Sequence, residues 1–303
     1  MKPMMKHHVT QEWKLGSKGH EQYDFIDVNL SDDNLLFIDP CRIEESNHPI
    51  AKQCVATIIS FFDMFFIAYR NRSQELKRSI LSHASEENST YLGYGYPGKG
   101  NTADGLIKTF APLDKLIESI PTINVAQDLP VLLAGFAEDG LSDLITNIIH
   151  IELNEYTLKQ MSRYGKHPTS ITDFYSWNAN TQSWQLYTDQ PCYIYKNKPI
   201  MLVPKEFVRK NFLFSASQYM HRIIVERIRE EGGGYDPDGK PIPKTYYLEH
   251  CIPHDSENWI YEEVLKYTKE HPDALSEYHD KLPDFYFENR KRINDDVLDE
   301  VVY

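Results

Sequence analysis

Asp143, Asn147 and His150 stand at i, i+4 and i+7 in the run GLSDLITNIIHIEL, so a single helix would carry all three on one face. Their neighbours are apolar: Leu141, Leu144, Ile145, Ile148, Ile149, Ile151 and Leu153 would bury most of that helix. A polar stripe in such a setting has to be bonded, because burying an unpaired polar group costs roughly 2–7 kcal/mol. Asp143 and Asn147 supply oxygen ligands of the kind that hold a divalent metal, and Asp143 with His150 makes a carboxylate–imidazole pair suited to acid–base work. The structural alternative is that Ser142-Asp143 caps the helix while Asn147 and His150 bond neighbouring backbone.

A second candidate is the loop Gly98-Lys99-Gly100-Asn101 ahead of a helical run. Glycine-rich backbone, a lysine and a helix start can together hold a phosphate. It is not a Walker A loop, since Lys99 is followed by Gly100 rather than Ser or Thr, and a plain surface turn explains the glycines equally well. A third is the basic stretch carrying Lys205, Arg209, Lys210, Arg222 and Arg229, interleaved with Phe212, Phe214 and Tyr219, a mixture that suits phosphate contact with base stacking. Glu226, four residues after Arg222, can neutralise part of it, and the acidic C-terminal segment is a further candidate partner. Glu249, His250, Cys251, His254 and Asp255 concentrate metal-competent side chains, but Pro253 spoils the helix that a His-x3-His chelate needs. Neither a GxSxG elbow nor an HExxH helix is present.

The elements that must position these groups are legible in part. Residues 34–38, NLLFI, read as a buried strand ended by Asp39-Pro40. The run from Ile50 to Leu81 reads as a long helix, apolar nearly all round at first and amphipathic later. LPVLLAGF, 129–136, reads as a second buried strand leading into a helix that starts near Ser142. FYSW and SWQLY around NANTQ, followed by CYIYKNKPIMLVP, read as hairpins. Helical periodicity returns at FLFSASQYMHRIIVERIREE and ends at Gly232-Gly233-Gly234. The pattern predicts an α/β or α+β fold: a mixed sheet with packed helices in a core over 1–230, a Gly/Pro-rich linker over 231–254 and an acidic helical extension over 255–303.

Composition narrows the class. With 303 residues, 41% hydrophobic and 25% charged, the chain can bury a sizeable core. The net charge of −13 disfavours overall affinity for nucleic acid, but it is unevenly spread: 14 acidic and 6 basic residues lie between 255 and 303, against 8 basic and 2 acidic between 196 and 229. The start, MKPMMKHHVTQEWK, lacks the apolar core of a secretion signal, and no window reaches the roughly 18 uncharged apolar residues of a membrane span. Cysteines at 41, 54, 192 and 251 form no CxxC pair and read as reduced thiols. A cytoplasmic protein with no membrane partner is expected.

Four landmarks, LLFIDP at 35–40, LGYGYPGKGN at 92–101, GLSDLITNII at 140–149 and PIMLVPKEFV at 199–208, resemble those of uncharacterised bacterial proteins associated with phage-defence or restriction loci. The resemblance implies defence chemistry on DNA or RNA and transfers no catalytic motif. The resulting expectation is a defence component that binds or cleaves nucleic acid, with a divalent metal at Asp143. Two alternatives stand beside it: a non-catalytic subunit that assembles with itself or a protein partner, and an enzyme acting on a small phosphorylated molecule.

Overall fold

A long helix, Ala51–Arg70, sits at the centre of the molecule. The computed structural model describes residues 6–16, 19–84, 88–94, 102–288 and 293–303, and Gly98 to Asn101 lie outside that set. Length and apolarity alone would let this helix cross a membrane. Its aromatic side faces protein instead: Phe61 meets the edges of Trp177 and Trp184 with ring centres 5.1 and 5.8 Å away, and Phe65 meets Phe110 at 5.4 Å. Such edge-to-face pairs add to the stabilisation from burial. The helix does not continue to Leu81. Arg72 takes a φ of 51°, and the Ser73 hydroxyl accepts from Leu76 N at 3.3 Å to start a separate helix, Gln74–Leu81.

The predicted first strand is present as Phe37–Ile38, paired antiparallel with Val208–Arg209. Asp39 then caps the helix Pro40–Glu45 by accepting from Cys41 N at 2.9 Å, with Pro40 at the position where its missing N–H costs nothing. The predicted hairpin is Ser170–Asn178 with Ser183–Tyr195, and Lys198–Ile200 adds a third strand. Lys196 and Asn197, at φ 46° and 65°, form the two-residue turn whose twist matches the flanking strands. Every pairing within the two sheets is antiparallel. The fold is α+β, with two small antiparallel sheets among packed helices rather than one mixed sheet.

Two further expectations are corrected. The run 129–136 is no strand: Asp128–Leu132 is a short helix with Pro130 in its first turn, where no intrahelical N–H bond is due. Periodicity cannot separate a buried strand from a buried helical turn when every position is apolar. The helix expected from Ser142 begins at Glu138 and stops at Ile148, and a new helix, His150–Arg163, follows.

The C-terminal region is built into the same core. The segment 231–254 contains the helix Lys244–Cys251, which buries Tyr247. Beyond it, Tyr278 and Tyr286 of the helix Asp273–Glu288 and Leu298 and Val302 of the helix Asp295–Val302 share one hydrophobic cluster with Phe61 and Phe65.

Candidate ligand site beside His150

The interruption at Ile149 is what places His150. Ser176, on the first hairpin strand, is fully buried. Its hydroxyl donates to Ile148 O at 2.9 Å and accepts from Ile151 N at 3.1 Å, so it replaces backbone partners that the break leaves open. Phe174, two residues earlier, points to the same face of the strand. Its ring stacks on the His150 imidazole with centres 4.0 Å apart and planes 10° from parallel.

The break also separates the expected trio. Asn147 donates its side-chain amide to Asp143 O at 2.9 Å, four residues back in its own helix. Ser142 is no cap: its hydroxyl accepts from Ile38 N at 3.0 Å and so ties the helix to the first strand. Among the described residues no three His, Cys, Asp or Glu side chains gather closely enough to hold a metal ion. The metal role expected for Asp143 and Asn147 therefore has no cluster of that kind to join among the described residues, and His150 opens the next helix.

His150 lines a cleft of about 310 Å³ between its helix, the hairpin and the third strand. Asn154 lies four residues along the helix and shares that face. It is 7% exposed, and its side-chain nitrogen has no hydrogen-bond partner. Lys198 enters from the third strand, its ammonium held 3.9 Å from the centre of the Tyr91 ring. Asp173 stands at the same cleft and accepts from Asp189 N at 2.8 Å. Cys192 closes one wall; burial pushes its thiol up from the ordinary value, so it stays protonated and is a poor nucleophile. An imidazole, an amide N–H₂ and an ammonium line a space of small-ligand size together with the Asp173 carboxylate, and the three nitrogen groups are a donor set suited to phosphate or carboxylate oxygens.

The basic stretch is largely spent inside the molecule. Lys205 is 3% exposed and pairs with Asp295 at 2.8 Å. Arg209 lies over the Tyr286 ring at 5.4 Å, and Arg222 lies over Phe285 at 4.2 Å while donating to Gln218. Arg229 pairs with Glu226 at 2.7 Å, and Arg227 bridges Asp273 and Glu277 at 2.8 and 2.6 Å. Lys210 alone of the five named residues is exposed. In the 249–255 cluster, His250 packs on Tyr246 and His254 on Trp259.

Sequence reading missed Asn154, although the four-residue spacing that picked out Asn147 from Asp143 also reaches it from His150. It counted Lys198 only among the basic residues between 196 and 229, because a lysine beside a turn carries no sign of what it faces until the hairpin is folded. A family model described as a domain of unknown function (DUF8370) matches residues 14–215, a span that holds every residue of this cleft. No curated protein and no solved structure gives a match.

Proposed function

We propose that this chain, which belongs to the DUF8370 family, binds a small phosphorylated or carboxylated molecule in the cleft beside His150. The observation that carries the reading is the Asn154 amide, a buried donor without a partner inside a cleft that also holds His150 and Lys198. A buried donor left unpaired costs about 1–3 kcal/mol, and an anionic oxygen would recover that cost. His150 is placed to bond the same ligand or to move a proton on it, and burial keeps the Cys192 thiol of the cleft protonated; binding with acid–base chemistry fits better than covalent catalysis at that thiol.

A defence role on DNA or RNA ranks second, because four of the five basic residues expected to meet phosphate are engaged within the molecule. The cysteines of the described structure are free, which fits the reducing cytoplasm as the location in this reading. Calorimetry or thermal melting with inorganic phosphate and nucleoside monophosphates tests the proposal. Ligand-dependent stabilisation that disappears in Lys198→Ala supports it; no stabilisation by any of these anions removes it.

A further inference from the structure

The helix His150–Arg163 carries other unsatisfied polar atoms on a different face. The Tyr156 hydroxyl and the Gln160 side-chain oxygen are both without hydrogen-bond partners, in residues only 2% and 7% exposed. One helical turn apart, they stand side by side and line a second cleft, of about 260 Å³. His48 forms another wall, its ring set edge-on to Tyr156 with centres 5.2 Å apart and planes at 78°.

The charges around this cleft are mostly engaged. Asp24 pairs with Arg163, Glu206 accepts from the Ser46 hydroxyl, and Lys205 is held by Asp295. Two carboxylates at the lining, Asp24 and Glu206, make the cleft a poor place for a phosphate. Burial pushes the Tyr156 phenol well above its ordinary value, so it keeps its proton and can donate. The buried unpaired atoms at the lining are therefore one O–H donor and one carbonyl acceptor, beside the His48 ring and the exposed Lys159.

We propose that this second cleft binds an uncharged planar amide or lactam, a nucleobase-like or nicotinamide-like ring, with Tyr156 donating to its carbonyl oxygen and Gln160 accepting from its N–H. A hydroxyl-rich sugar could satisfy both atoms, but it would leave the His48 ring without a flat partner. An anionic ligand would meet the Asp24 and Glu206 carboxylates. The site is independent of the anion cleft: it uses other residues and the opposite charge logic.

The test is titration of the full-length chain with nicotinamide, uracil and hypoxanthine, followed by calorimetry and by the NMR signals of His48. The expected result is saturable binding of at least one ring that shifts His48, weakened about tenfold or more in Tyr156→Phe, which removes the donor while keeping the ring. Gln160→Leu should weaken it comparably, and Asn154→Leu should leave it unchanged. Thermal melts establish that each variant is folded. Absence of binding by all three rings up to their solubility limits overturns the proposal, as does binding that both variants retain at full strength.

Discussion

Lys205 Nζ lies 2.8 Å from Asp295 Oδ1, and this contact fastens the most basic stretch of the chain to its acidic C-terminal helix from inside the protein. The ammonium also donates to the His20 carbonyl, and its side chain is only 4% exposed. Removing one partner of a buried pair strands the other charge, at a cost of roughly 3–5 kcal/mol. Asp295→Ala should therefore lower unfolding stability in urea by an amount of that order. The double change Lys205→Met with Asp295→Leu should recover much of it. If Asp295→Ala unfolds at the wild-type urea concentration, the pair does not hold the terminus.

That contact also shows why function was less legible than fold. Charge counts along the sequence revealed the polarity between 196–229 and 255–303, and the hairpin, the Asp39-Pro40 stop and the Gly232 helix end followed from local chemistry. What a basic residue does depends on what packs over it. Arg227 spanning Asp273 and Glu277 looks, in sequence, like any arginine awaiting a phosphate. The helix break at Ile149 was hidden for a related reason. Ser176, which takes over the backbone groups there, lies 27 residues away and reaches them only when the hairpin folds back.

His279 and Asp128 predict a pH dependence. A His279 ring nitrogen is 2.6 Å from Asp128 Oδ1, while Asp128 Oδ2 accepts from Asn124 N and Val125 N at 2.9 and 3.1 Å. Burial alone would lower the histidine's pKa, but the hydrogen bond and charge of Asp128 outweigh it and the net direction is upward. A raised folded pKa means this pair stabilises fully below the unfolded value near 6.5 and loses its contribution as pH rises through the folded value. The melting temperature should fall as pH rises above about 6.5, and His279→Gln should flatten that part of the curve. An unchanged slope in the variant would assign the dependence to other groups.

Asp39 should produce a second, lower pH window. Complete burial raises its carboxyl to about 6, against the opposing effects of the Tyr286 hydrogen bond at 2.6 Å, the Arg209 charge and the Cys41 and Arg42 amides. For an acid with a raised folded pKa, stability falls as pH rises from the unfolded value near 3.8 to about 6, and the penalty, of order 3 kcal/mol, is complete above that. Asn at this position still caps the helix and can still bond Tyr286. Asp39→Asn should remove the slope between those two values and be more stable than wild type at neutral pH. Chemical denaturation at a series of pH values decides it; a variant less stable than wild type throughout would mean that the ionised form is needed by the cap.

Asn154→Leu separates a ligand site from a structural one at the cleft beside His150. Leucine keeps the heavy-atom count and γ-branching of asparagine, at a larger volume, and removes a buried amide whose nitrogen has no partner. If that amide exists to hold the fold, replacing it should destabilise the protein. If it waits for an anion, the unliganded variant should match or exceed wild-type stability, by up to about 1–3 kcal/mol, because the desolvation cost of the orphan donor is gone. Stabilisation by phosphate or a nucleotide should fall in the same variant, since stability and binding are then traded at one atom. Melting curves of both proteins with and without phosphate read both quantities together. A loss of stability with phosphate stabilisation intact would place Asn154 in the scaffold and leave Lys198 and His150 to account for any binding.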